Sequence, residues 1–238
     1  MRHLLILASL LFIPLAPAPA HAEVSVGIGI HTPGVSIGIN IPAYPRLVRV
    51  PNYPVYYDPY LRVNLFFYDG LYWVFQDDNW YVSAWYNGPW DWVDPFDVPV
   101  YVLRVPVRYY RLPPPYFRGW RVDAPPRWQE HWGRDWQDRR SGWERRDRHA
   151  PPPPRAPLPA YQKHYSGDRY PGELERQRTI RTERYRYQPR EEFTRRYDEQ
   201  RSRGPGQQPR GESQQPRGEG PRPHGEGPRD GGRGPERR

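Results

Sequence analysis

The chain has 238 residues, of which 33 are Pro and 21 are Gly, more punctuation than one compact domain carries. It holds 36 Lys plus Arg, with Lys163 the single lysine, against 27 Asp plus Glu, a formal net charge of +9 that bears on solubility and anionic partners rather than on fold. Cys is absent, which excludes disulfides, thiolate metal sites and cysteine nucleophiles, and with 36% hydrophobic but 15% aromatic residues any core must be aromatic. These sums predict one small domain and a long remainder.

Arg2 and His3 precede an apolar run from Leu4 to Leu15, and Ala16 to Ala22 follow with an Ala-x-Ala exit. This is the pattern of a secretory signal over residues 1–22, with cleavage expected after Ala22. The run is too short for the roughly 20 residues that cross a bilayer as a helix, and no later stretch is apolar enough to do so. The chain is therefore expected to be exported, to the periplasm or the outer surface.

Residues 23–112 read as an aromatic β module. Val24, Val26, Ile28 and Ile30 alternate, His31-Thr32-Pro33-Gly34 interrupts, and Val35, Ile37, Ile39 and Ile41 alternate again, predicting an N-terminal hairpin. Its apolar face either packs on the rest of the domain or serves as a donor strand for a partner. Pro42, Pro45, Pro51, Pro54 and Pro59, with Tyr44, Tyr53, Tyr56, Tyr57 and Tyr60 between them, predict an extended strap whose rings lie on a neighbouring surface.

Asn64 to Tyr68, Asp69-Gly70, and Leu71 to Phe75 form the strongest hairpin signal in the chain. A second turn at Gln76 to Asn79 and a third strand from Trp80 to Tyr86 complete a predicted antiparallel meander, broken by Asn87-Gly88-Pro89-Trp90. Val98 to Tyr110 reads as a further strand, confined to an edge by Pro99 and Pro106.

Residues 113–149 are rich in Pro, Trp and Arg. Trp128, Trp132 and Trp136 are four apart, which puts three indoles on one face of a helix predicted from about 126 to 148, with Asp123 as N-cap and Trp143 two turns on. Glu130 with Arg134 and Asp135 with Arg139 are acid-first i,i+4 pairs. The Trp face either docks on the meander or lies in a membrane interface.

From Ala150 to Arg238 basic residues outnumber acidic ones 20 to 13, and the last 36 residues have no aliphatic or aromatic side chain. So few apolar groups do not offset the ordering entropy, so residues 150–238 are expected to be a disordered tail, with room for short helical turns around Glu173 to Arg186. Gln-Gln-Pro-Arg-Gly-Glu occurs at 207–212 and again at 214–219 without the apolar positions of a coiled coil. The tail reads as a solvating segment, or as an Arg polyelectrolyte that pairs with lipid phosphates or acidic envelope polymers through its guanidinium forks. Export argues against nucleic acid as a partner.

These residues, with Arg104-Val105-Pro106-Val107-Arg108-Tyr109-Tyr110-Arg111, Tyr116-Phe117-Arg118-Gly119-Trp120 and Pro125-Pro126-Arg127-Trp128, resemble a family of exported proteobacterial proteins. Its members share an aromatic and proline-rich middle and a variable Arg-rich tail. The resemblance covers most of the chain between Val24 and Trp143. It implies bacterial export and supplies no catalytic residue to carry over.

Candidate chemistry is sparse. His31, His131, His149, His164 and His224 stand singly, without the spacing of a zinc site, and no nucleophile elbow or phosphate loop occurs. Asp77 and Asp78 suit a turn. Asp91, Asp94 and Asp97, among Trp90, Trp92 and Phe96, are the remaining candidates for a hard cation or an acid–base pair, on a weak signal. The sequence therefore predicts no catalytic residue, metal or cofactor. It predicts a mainly β, non-enzymatic envelope protein of structural or interaction type. The alternative is a carbohydrate-binding module in which Trp80, Trp85, Trp90 and Trp92 stack on sugar faces.

Overall fold

The computed structural model describes residues 30–35, 38–145 and 154–202, the first six through their backbone. They fall in one compact unit, Met1–Ser202, and the second unit, Arg203–Arg238, lies outside the described residues, as do the predicted signal and the first arm of the N-terminal hairpin.

The core is a seven-stranded antiparallel sheet. Its strands are β1 (Ile30–Val35), β2 (Val48–Arg49), β3 (Tyr56–Tyr57), β4 (Asn64–Tyr68), β5 (Leu71–Gln76), β6 (Asn79–Ser83) and β7 (Trp90–Val93), in the order β1-β7-β6-β5-β4-β3-β2. The predicted meander is its centre. Asp69 and Gly70 both adopt positive φ, 51° and 88°, the backbone that a two-residue turn needs to match the twist of β4 and β5. Asp77 and Asp78 do the same between β5 and β6, at 48° and 64°.

Antiparallel sheets commonly leave one face to water; this one does not. Phe66, Tyr68, Leu71, Trp73, Phe75, Trp80 and Val82 line one buried cluster, while Leu65, Phe67, Tyr72, Val74 and Trp90 line a second. With period-two alternation, the two sets are the two faces of the sheet. Covering both faces explains why β4 and β5 read as unbroken apolar runs, Leu65 to Tyr68 and Leu71 to Phe75.

The first face is roofed by α1 (Val100–Leu103), two short 3-10 turns, α2 (Trp128–Arg139) and α4 (Glu192–Ser202). Trp128 packs against Phe75 and Trp80 at ring separations of 5.3 and 6.1 Å, and its indole N–H donates to the Leu103 carbonyl at 3.0 Å. The Trp face is thus docked on the meander. The second face is covered by the proline–tyrosine strap, through Ile41 and Tyr44, and by the segment from Ala156 to Tyr170.

Four expectations are corrected. His31 to Gly34, read as a turn, belong to β1, where His31 pairs with Trp92 and Val35 with Trp90 across an irregular register. Pro33-Gly34 is accommodated because β1 is an edge strand. Val98 to Tyr110 forms no strand: Pro99 and Pro106 each lead into a helical turn, α1 and Val107–Tyr109, since the fixed proline φ suits a helix start.

The Trp helix spans 128–139 rather than 126–148. Gly133, at φ 81° and ψ −173°, breaks its regularity, and Asp123 pairs with Arg108 instead of capping it. Glu130 pairs with Arg127 at 3.4 Å, not with Arg134.

The fourth correction is the boundary of the tail. Residues 154–202 are folded, with α3 (Leu174–Arg184) and α4 present and with Phe193 and Tyr197 buried in the core. Two buried glutamines hold this segment to the sheet. Gln162 donates to the Ala84 carbonyl at 3.0 Å and accepts from the Tyr72 hydroxyl at 3.1 Å, while Gln177 donates to the carbonyls of Gly88 and Pro171 at 2.9 and 2.7 Å. At the other end Asp69 accepts from the Tyr187 hydroxyl at 2.8 Å and from the amides of Arg190 and Glu191 at 3.0 and 2.9 Å, just ahead of α4.

Candidate functional site

The predicted stacking platform is not at the surface. Trp80 and Trp85 are fully buried and Trp90 is 2% exposed, while Trp92 is half-buried with its indole N–H on the Asn79 side chain at 3.0 Å. Trp85 is enclosed edge-on by Tyr161, Tyr165 and Tyr170 at 5.7, 5.5 and 5.8 Å. Trp128 and Trp136 are buried as well, and Trp132 stacks on Trp128 at 4.4 Å.

The three carboxylates of the β7 region do not converge. Asp91 is 1% exposed and accepts from the Tyr197 hydroxyl at 2.6 Å and from the Arg201 guanidinium, both on α4. Asp94 accepts from the Phe96 amide at 2.9 Å, a local turn contact. Asp78 binds the Tyr116 hydroxyl and His131 Nε2, each at 2.7 Å, with the Tyr116 and His131 rings stacked at 4.0 Å. Among the described residues no group of three or more metal-ligating side chains forms, and no helix is long and apolar enough to cross a membrane.

Burial also governs the phenols. Tyr72, Tyr110 and Tyr197 are pushed well above the ordinary phenol range by desolvation, and Tyr44 is pushed up to about 12 by the same cause. None of these hydroxyls supplies a charge or a base at neutral pH.

Two surface features carry chemistry instead. The first is a cleft of about 360 Å³ between the strap and the turn around residue 160, walled by Tyr44, Leu47, Val48 and Leu158 with Arg46 and Lys163 at its margin. Asp58 shapes the strap side: its carboxylate accepts from the amides of Arg46, Tyr60 and Leu61 at 2.6, 2.7 and 3.1 Å. The facing side is tied to the strap by the Gly167 amide on the Pro42 carbonyl at 3.2 Å. The Arg46 guanidinium lies 3.8 Å over the Tyr60 ring and the Lys163 ammonium 5.6 Å from the centre of Tyr44. Among the described residues neither cation has a carboxylate within ion-pair distance.

The second is the stretch from Arg108 to Arg127, where Arg108, Arg111, Arg118, Arg121 and Arg127 are exposed and Asp123 is the only acid. Exposed Leu112 and Val122, at 48% and 56%, lie among them. The Arg108 amide donates to the Val122 carbonyl at 3.0 Å, which brings the two ends of the stretch together.

Sequence reasoning missed the cleft. Lys163 stood out as the single lysine, but only the fold shows that it lines the same cleft as Arg46. No family model, curated protein or solved structure matches the chain, so function is argued from these residues alone.

Proposed function

We propose that this chain is an exported, non-enzymatic envelope protein of structural or interaction type, whose arginines hold anionic surface polymers or lipid phosphates. The observation that supports this reading is the sorting of side chains. Trp80, Trp85 and Trp90, which a glycan platform would use, are buried, whereas the 108–127 stretch presents five exposed arginines, of which Arg108 and Arg127 pair with Asp123 and Glu130. A guanidinium binds phosphate or carboxylate through two parallel hydrogen bonds, which suits polymers that repeat such groups. The basic sequence from Arg203 to Arg238 adds charge of the same sign. The carbohydrate alternative has lost its principal support, because a stacked sugar needs coplanar exposed indoles.

The test is retention of residues 23–238 and 23–202 on peptidoglycan, lipopolysaccharide and a neutral polysaccharide at increasing salt. Retention on the anionic materials that falls steeply with salt is expected, since exposed charges are screened within about 8 Å at physiological ionic strength. Changing Arg111, Arg118 and Arg121 together to Gln lowers retention of the shorter chain. Salt-independent binding to the neutral polysaccharide would overturn the proposal.

A further inference from the structure

We propose that the cleft between the strap and the turn around residue 160 is a binding site for an anionic amphiphile, a single acyl chain ending in a phosphate or a carboxylate. Its volume, about 360 Å³, lies in the range of small-molecule sites, which are mostly apolar with a few placed polar groups. The walls have that character. Leu47, Val48, Leu158 and the ring of Tyr44 offer aliphatic and aromatic surface, and Val48 remains 47% exposed on the outermost strand, an apolar side chain still open to a partner.

The charge at the margin fixes the sign of the head group. Arg46 is held in place by its contact with Tyr60, so less conformational freedom is lost when it binds. The Asp58 carboxylate beside Arg46 is buried, does not line the cleft and has its oxygens engaged by three backbone amides, so it offers no ligand to an incoming cation. The Tyr44 hydroxyl stays neutral at physiological pH because burial raises it. A metal ion would therefore meet two cations. A neutral sugar would leave both without a counter-charge, and a hydrophilic polyanion would leave the apolar walls unused. An acyl chain with an anionic end satisfies walls and margin together.

The inference is independent of the polymer binding proposed above and is tested separately. Residues 23–238 are titrated calorimetrically, below micelle-forming concentrations, with dodecyl phosphate, dodecanoate, dodecanol and inorganic phosphate. Saturable binding of one or both anionic amphiphiles is expected, at least tenfold tighter than dodecanol or inorganic phosphate. The two anionic arms distinguish a phosphate from a carboxylate head.

Arg46→Gln and Lys163→Gln, both at exposed positions, are each expected to weaken binding about fivefold, the loss typical of a rim charge. Leu158→Trp, which fills the cleft, should abolish it with the far-ultraviolet spectrum unchanged. Equal affinity for dodecanol would mean non-specific apolar adsorption, equal affinity for inorganic phosphate a bare anion site, and full affinity in the Arg46→Gln/Lys163→Gln double variant a different location. Each of these overturns the proposal. Retention of the double variant on peptidoglycan, which has no acyl chains, separates its failure from that of the polymer reading.

Discussion

Asp91 is the point at which the sheet holds the C-terminal helix, and replacing it measures that attachment. In Asp91→Ala the Tyr197 hydroxyl, on a residue 1% exposed, loses its acceptor. A buried donor left unpaired costs about 1–3 kcal/mol. Arg201 loses its carboxylate as well, and breaking a buried ion pair from one side costs about 3–5 kcal/mol. The Arg201 side chain is 24% exposed, however, so water reaches the guanidinium and the lower part of that range applies. The combined loss is about 3 kcal/mol, because both effects follow from the same deletion and do not add in full. Tyr197→Phe removes one hydroxyl and leaves the ion pair, at a cost of about 1.5 kcal/mol. Arg195→Ala, exposed on the same helix, should stay within about 0.5 kcal/mol. Equilibrium unfolding in urea, followed by Trp fluorescence, gives all three values. Limited trypsinolysis shows whether cleavage moves into residues 190–202. A loss below about 1 kcal/mol in Asp91→Ala, with the helix still protected, would refute the reasoning that this network anchors α4.

Gly133→Ala separates two accounts of the Trp helix: a regular helix would gain about 1 kcal/mol from the substitution, whereas a residue at φ 81° loses about 1 kcal/mol, read as a lower melting temperature. Trp85→Ala should destabilise by about 3–5 kcal/mol in urea, because the indole is fully enclosed; a loss near zero would restore Trp85 to the surface. The tyrosines give a pH dependence whose sign is fixed. Tyr72, Tyr110 and Tyr197 have raised folded-state values, so their contribution is fully present below the unfolded phenol value near 10 and is lost as pH rises above it. Absorbance at the tyrosinate band should therefore show a late, cooperative step that coincides with loss of the near-ultraviolet circular dichroism. A single smooth titration of all phenols in the folded protein would contradict their burial.

What could be read from the sequence was local. The β4–β5 turn needs two consecutive residues at positive φ, and Asp69-Gly70 provides them directly between the two aromatic-rich runs, Tyr68 pairing with Leu71. The four-residue spacing of Trp128 and Trp132 likewise stacks their rings at 4.4 Å, whereas the Trp132–Trp136 contact at 5.1 Å is made across the break at Gly133 and does not follow from helical spacing. Proline carried a double meaning. In the stretch Val98 to Tyr110 proline is compatible with a strand edge, yet the same fixed φ also suits the start of a helical turn, and in the fold the helical turn puts Val102 and Leu103 into the cluster on the buried face of the sheet.

The folded part of the expected tail was hidden for a different reason. Counting aliphatic residues between 154 and 202 finds too few to offset chain entropy, but the count omits what tyrosine and glutamine do there. A tyrosine brings a large contact area with only two side-chain torsions to fix. Tyr161, Tyr165 and Tyr170 spend that area on one indole, Trp85. Gln162 and Gln177 would cost free energy on burial without partners. Their partners are Ala84, Tyr72 and Gly88, far away in sequence, so neither glutamine can be recognised as a core residue until the sheet exists. Asp69 shows the same dependence from the other side. Its turn conformation follows from its neighbours, while its carboxylate serves the amides of Arg190 and Glu191. The cleft inherits this origin, since Lys163 is next to Gln162 and lines the cleft with Arg46 only because Gln162 is fixed against Tyr72 of β5 and the Ala84 carbonyl that follows β6. Binding at the cleft and stability of the 154–202 segment are therefore coupled: a ligand that bridges Arg46 and Lys163 must also oppose release of that segment from the sheet.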